Sequence, residues 1–193
     1  TDIMQGVVFG TQIDETIQDP RLSSRLDFDQ CFGTAINRFC CQAVIGHPLT
    51  VFGVGKQKRG FLPLRDSMQC LTIAIENPPA KGEYRVFNQF EETYTVLELA
   101  QIVKREGDAL GLNVAINLYE NPRTEAAEHY YQPDRQKLLD LGYVPTHDVA
   151  AEVRLMLRDL MPHADRIREK ADILIPDIRW DGHHHRSQVI EKV

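Results

Sequence analysis

The first apolar block holds Ile3, Met4, Val7, Val8 and Phe9 and closes at Gly10. It predicts a buried β-strand over residues 4–9. Residues 11–27 are polar and without period, with Asp19-Pro20 as a turn signal. A plain connection is seldom so long, and the stretch reads as a functional or partner-contacting loop. Helical spacing then sets in with Phe32, Ile36, Phe39, Cys40, Ala43 and Val44, within residues 28–45, until Gly46-His47-Pro48 stops it. Short strands are predicted at 49–52 and 60–64, joined by a glycine-rich basic loop, 53–59. A helix over 66–76 ends at Asn77-Pro78-Pro79, and a strand follows at 83–87. Thr95 and Glu98 have the spacing of a capping box, in which each side chain satisfies a free amide of the other. The helix they open runs to about Leu110, with Gly111 closing it. A strand over 113–118, a short helix capped by Asp134 and ended by Gly142, and a long helix from Thr146 through Leu160 toward Lys170 complete the pattern. From Asp181 onward the chain reads as an unstructured tail. Strands alternate with helices, so the fold class is α/β.

Composition narrows the picture. The chain has 193 residues, 42% apolar and 26% charged, which is the balance of a folded globular protein. Its net charge of −6 argues against general affinity for nucleic acid. No apolar run approaches the roughly 20 residues of a membrane helix, and residues 1–20 lack the order of a secretory leader. Thr1 opens directly into the strand-like block, from which we expect a truncated chain. Cys31, Cys40, Cys41 and Cys70 form no Cys-x-x-Cys pair. They read as reduced core residues of an intracellular protein. His183, His184 and His185 are consecutive and cannot all face one ion from a regular element, so no metal is expected and they read as part of the tail.

Two stretches have the composition of a binding site. In residues 49–66, a strand end, Gly53, Gly55, Arg59 and Arg65 together suit a diphosphate, because glycine admits close backbone approach and arginine offers a fork to phosphate oxygens. On spacing alone a β-hairpin with a solvated basic tip is the favoured reading of the two. The loop is neither a dinucleotide fingerprint nor a P-loop. In residues 121–131, Arg123 is either a second phosphate clamp or a surface residue paired with Glu125, and Glu128 and His129 support the loop more readily than they act as acid and base. Asn88 and Gln89 end a strand, where α/β sheets bind ligands, or cap a turn with their amides. No tyrosine is followed by lysine four positions later, and no catalytic residue is assigned.

The motifs Gln5-Gly-Val-Val-Phe-Gly10 with Asp14-Glu15-Thr16, the run from Phe32 to Gly53, Arg59-Gly-Phe-Leu-Pro-Leu-Arg-Asp66, Arg85-Val-Phe-Asn-Gln-Phe90, and Asn121-Pro-Arg123 with Glu128-His-Tyr-Tyr131 occur in this order. Together they resemble the extended short-chain dehydrogenase/reductase superfamily, in its NAD-dependent epimerase/dehydratase family, and within that the UDP-sulfoquinovose synthases of sulfolipid synthesis. The resemblance implies the C-terminal part of an extended Rossmann fold. Its divisions would be a late Rossmann strand at 1–10, a substrate-binding segment at 11–64, a return to the Rossmann sheet at 65–90, substrate-domain helices and strands at 91–180 and a flexible tail at 181–193. It implies NAD, held mainly by a preceding portion, no metal, UDP-glucose and sulfite as substrates, and a homodimer in the cytoplasm, or in the chloroplast stroma of a plant or alga. Gln5, Gly6, Val7 and Val8 would lie near nicotinamide and sugar. Thr34, Ala35, Ile36, Asn37 and Arg38 would line the sugar–ribose side, and Thr50, Val51 and Phe52 would hold the uracil. Arg59 and Arg123 would grip the diphosphate, with Gln89 and Glu128 near the substrate. The Tyr-x-x-x-Lys pair and glycine motif of the family are absent from these residues, which implies a chain inactive alone. A UDP- or dTDP-sugar epimerase or dehydratase, and a stand-alone binding or assembly module, are the alternatives.

Overall fold

The computed structural model describes residues 1–29, 32–124, 126, 130–175, 183 and 186–193. The predicted strand at 4–9 is two strands, β1 (Asp2–Gln5) and β2 (Val7–Phe9). Gly6 separates them because a side chain does not fit there. A Cβ on Gly6 would lie 2.8 Å from the Gly60 carbonyl oxygen and 3.1 Å from that of Gln89. The polar stretch that follows is not wholly irregular, since it contains a short helix, α1 (Asp14–Gln18), and a 3-10 turn at Pro20–Leu22.

Helix α2 (Ala35–Ile45) begins later than its apolar spacing suggests. Thr34 Oγ1 accepts the Asn37 amide at the N-terminus, and Gly46 takes a left-handed φ of 73° at the other end. Phe32 falls outside the helix and is exposed. Every residue from 36 to 44 is buried, the mark of a helix enclosed on all sides. It packs on α4 (Val96–Ala109), α6 (Val149–Leu160) and α7 (Ala164–Arg168). The Thr95–Glu98 capping box forms at the start of α4. Helix α6 is capped by Asp148, not Thr146, and Met161–His163 form a 3-10 turn, so no single helix reaches Lys170. Thr146 is engaged elsewhere, donating through Oγ1 to the buried Asp66 carboxylate at 2.5 Å.

Among the described residues, three small sheets carry these helices. Strand β1 pairs in parallel with β5 (Val86–Gln89). Strand β2 pairs in parallel with β4 (Lys58–Pro63), which pairs antiparallel with β6 (Glu92–Thr95). Strand β3 (Leu49–Phe52) pairs in parallel with β7 (Ile116–Tyr119), and β7 pairs antiparallel with β8 (Val189–Lys192). Part of the stretch expected to be an unstructured tail is therefore a strand. Helix α3 (Leu64–Glu76) packs against β2 and β4, and α5 (Gln136–Asp140) against β5. The larger apolar core joins α2, α4 and α6 to β3 and β7. A smaller one gathers Leu62, Cys70, Ala74, Phe87, Leu138 and Tyr143. Among the described residues no helix is long and apolar enough to cross a membrane.

Candidate functional site

Strand β3 is the edge of its sheet. Leu49 and Gly53 donate their amides to Ala115 and Tyr119 in the direction of β7. By the two-residue alternation of a strand, the peptide groups of Thr50 and Phe52 face the open edge. Two side chains of α2 occupy it at Thr50. The Thr50 amide donates to Gln42 Oε1 at 3.0 Å. Arg38 donates from Nε to Thr50 Oγ1 at 3.0 Å and from Nη2 to the Thr50 carbonyl at 3.2 Å. The guanidinium also lies against the rings of Phe39 and Phe52, at 5.4 and 5.1 Å from their centroids. Burial pushes Arg38 down to about 10, and the charge of Arg123 adds to that shift. Arg38 and Arg123 therefore stand within electrostatic reach of each other at the C-terminal ends of β3 and β7.

The basic loop is not a hairpin tip, because β3 and β4 belong to different sheets. It is tied to the start of α4, where Val96 and Leu97 donate to the carbonyls of Gln57 and Gly55 at 3.1 and 3.0 Å. Gly55 has φ 69°, and a Cβ there would meet Val51 Cγ1 at 2.8 Å and Leu97 Cβ at 2.9 Å. Arg59 enters β4 opposite Tyr94 of β6, and its Nη1 donates to the Lys58 carbonyl at 2.7 Å. Arg123 is exposed, in a turn where its amide donates to Asn121 Oδ1 at 3.0 Å.

The remaining sequence candidates divide. Ile36 and Val51 have fully buried side chains in the larger core. Thr34 and Ala35 form the start of α2, and Asn37 donates through Nδ2 to the Asp27 carbonyl at 3.0 Å. Val7 and Val8 lead away along β2 and pack against the two cores. Gln5, Gly6 and Gln89 come together at the ends of β1 and β5, lining a cleft of about 400 Å³. Gln5 Nε2 donates to Ser67 Oγ at 2.8 Å and to Gln89 Oε1 at 3.4 Å. This cleft shares Phe90, Tyr131 and Pro133 with a larger one of about 660 Å³ that adds Lys58, Thr93 and Gln132. Ser67, Gln42 and Lys58 were not among the sequence candidates. A signal for the cleft was Gly60, where a Cβ would come within 3.0 Å of Tyr131 Oη. Glu125, Glu128, His129, Cys31, His184 and His185 lie outside the described residues. Among those described, no three His, Cys, Asp or Glu residues are grouped to hold a metal.

The chain is 49% identical, over all 193 residues, to the UDP-sulfoquinovose synthase of Sulfolobus acidocaldarius. It is 46% identical over 180 residues to the chloroplastic UDP-sulfoquinovose synthase of Spinacia oleracea. This chain is a relative of the UDP-sulfoquinovose synthases. It spans 48% of the length of the first and 37% of the second. UDP-glucuronic acid decarboxylase 2 of Arabidopsis thaliana is 32% identical over 128 residues, 66% of this chain and 27% of the decarboxylase. No family profile matches the chain. Among solved structures, the UDP-glucose 4-epimerase of Thermotoga maritima with UDP-glucose superposes with a TM-score of 0.62 at 18% identity, over 83% of this chain and 45% of the epimerase. The UDP-glucuronic acid 4-epimerase of Bacillus cereus, in complex with UDP-glucuronic acid and NAD, gives 0.58 at 21% identity, over 87% and 45%. The fold is thus that of the NAD-dependent epimerases and dehydratases of the short-chain dehydrogenase/reductase class.

Proposed function

We propose that this chain is the nucleotide-sugar-holding portion of a UDP-sulfoquinovose synthase, which converts UDP-glucose and sulfite to UDP-sulfoquinovose with NAD bound. The observation that carries this reading is the open edge of β3 at Phe52, set beside Arg38 and within the field of Arg123. A free peptide edge reads a base, and guanidinium groups compensate a diphosphate. Similarity to two UDP-sulfoquinovose synthases along nearly the whole chain supports the sulfosugar product. Arg59 and Arg123 grip the diphosphate, and the Gln5–Gln89 cleft receives the glucose ring. NAD supplies reversible oxidation of the sugar when bound. The present residues fit only its substrate-facing side, since the 193 residues contain neither a glycine-rich strand-to-helix turn nor Tyr-x-x-x-Lys. Proton transfer and pyrophosphate binding therefore fall to another portion, and this chain alone is inactive.

The test is to incubate the chain with UDP-glucose, sulfite and NAD, alone and joined to a dinucleotide-binding portion, and to follow UDP-sulfoquinovose by mass spectrometry. Product is expected only from the joined form. Product from the chain alone refutes its inactivity, and sulfite-independent turnover of UDP-glucose by the joined form makes it an epimerase or dehydratase instead.

A further inference from the structure

The cleft of about 400 Å³ has walls from distant parts of the chain. The ends of β1 and β5 form one, with Gln5, Asn88, Gln89 and Phe90, and residues 131 and 133 form the other. Gln89 is fully buried there, and its Nε2 has no hydrogen-bond partner among the described residues. A buried donor of this kind calls for an acceptor, and a sugar oxygen supplies one only if the two walls hold the ring in place. The walls are joined just past Pro133. Asn88 Nδ2 donates to the Asp134 carbonyl at 2.7 Å. Arg135 Nη1 donates to the Phe90 carbonyl at 3.1 Å and to the Glu91 carboxylate. The guanidinium carbon also lies 5.5 Å from the centre of the Phe90 ring. Glu91 is fastened in turn, its amide donating to the Phe61 carbonyl of β4 at 2.7 Å and its Oε2 accepting Tyr143 Oη at 3.1 Å. Arg135 itself lines neither cleft.

We propose that Arg135 is a positioning residue for the hexose: it ties the end of β5 to the segment that follows Pro133, fixes the spacing of the two cleft walls, and so sets affinity for the sugar independently of the nucleotide. Guanidinium suits this task. It is always charged, it is planar, and it can meet a carbonyl, a carboxylate and a ring face at once. Glu91 keeps it in place, with a side chain only 11% exposed. Phe90, the residue it holds by both backbone and ring, lines both clefts. The base and diphosphate are assigned to the edge of β3 and to Arg123, which follows β7, and these strands belong to a different sheet from β1 and β5. Arg135 is therefore expected to act on the sugar end alone.

The role of Arg135 rests on the nucleotide-sugar reading, and one set of measurements separates the two. Dissociation constants for UDP and for UDP-glucose without sulfite are measured on the chain joined to its dinucleotide-binding portion with NAD bound, with a thermal melt of each form. The forms are the unaltered protein, Arg135→Met, and Arg135→Met combined with Glu91→Gln. Arg135→Met is expected to weaken UDP-glucose about tenfold, as one or two displaced hydrogen bonds would. UDP is expected to stay within about twofold, since its contacts are independent of the altered one. The melting temperature falls in this variant because the Glu91 carboxylate is left buried without its cation. The double variant removes that charge, so it is expected to recover the melting temperature while UDP-glucose stays weak. Recovery of UDP-glucose affinity together with stability would show a structural role only and overturns the proposal. So does an equal loss for both ligands, or an unchanged UDP-glucose constant. Should Arg135→Met not fold, the double variant decides. Binding of neither ligand by the unaltered protein defeats the nucleotide-sugar reading itself, whereas binding of both with no selective loss in the variants defeats only the role of Arg135.

Discussion

Arg65 Nε lies 3.8 Å from Glu152 Oε2, yet neither Glu152 oxygen accepts a hydrogen bond. Glu152 is fully buried on α6, close against Gly10, where a Cβ would stand 2.6 Å from Oε1. Asp66 and Asp159 face it as well, and Arg65 is shared with Asp14 at 3.7 Å. Burial pushes the Glu152 carboxyl up to about 7, opposed by Arg65 and aided by the two aspartates. The folded chain thus holds a proton here that the unfolded chain releases near 4.5. The stability that proton brings is complete below about pH 4.5 and is lost as pH rises through 7. Glu152→Gln is expected to flatten the slope by roughly 2 kcal/mol between pH 5 and pH 8. Urea midpoints at the two pH values measure it, and an unaltered slope refutes the assignment.

Gly60, on β4, lies directly beneath Phe90 and Tyr131, which line both clefts. A Cβ there would meet Phe90 Cβ at 2.9 Å and Tyr131 Oη at 3.0 Å. Gly60→Ala is expected to cost about 1–3 kcal/mol and to displace Tyr131 from the wall that both clefts share. Gly82→Ala meets no atom within 4 Å and carries only the strain of φ 84°, so it is the control. Equal melting temperatures for the two variants would contradict the packing argument.

Thr95 does more than start a helix. Its hydroxyl accepts the Glu98 amide at 3.2 Å, and the next amides, Val96 and Leu97, are spent on the basic loop. Thr95→Ala is expected to cost about 1 kcal/mol and to loosen the loop that leads into Arg59. Hydrogen exchange of the Val96 and Leu97 amides, which donate to the Gln57 and Gly55 carbonyls, is expected to speed up along with that of the Glu98 amide. Faster exchange at Glu98 alone would show that cap and loop are not coupled.

Cys40, Cys41 and Cys70 are buried, and burial raises all three thiols, Cys41 and Cys70 to about 12. Thiolate is the reactive form. These three are expected to resist iodoacetamide at pH 8 until the chain unfolds, as peptide mapping would show; labelling in the native state would place them nearer the surface.

Helices were legible where their ends carry chemistry. Gly46 closes α2, and Thr95 and Gly111 bound α4, each by a local hydrogen bond or a positive φ, whereas the Thr34 cap of α2 was not read and the helix was expected from residue 28. Strand β6, Glu-Thr-Tyr-Thr, is half-buried throughout and has no alternation to read. Strand β8 is exposed and is held by its backbone pairing to β7. Thr146 resembled a helix cap but serves Asp66, eighty residues away, a relation no local pattern contains. The site was legible in the same uneven way. Arg38 and Phe52 stood out through resemblance, but the hydrogen bonds that join Arg38 and Gln42 to Thr50 exist only once α2 lies against β3.

The chain crosses between two sheets twice at nearly one place. It passes from β1 to β2 through Gly6, whose amide donates to the Gln89 carbonyl at 2.7 Å. It passes from β5 to β6 just beyond, where the Glu91 amide donates to the Phe61 carbonyl at 2.7 Å. The two crossings lie side by side and tie the sheets together through backbone hydrogen bonds. Gln5, Gln89 and Phe90 stand at that junction, so the cleft they line is walled by the seam between two sheets and not by one sheet alone.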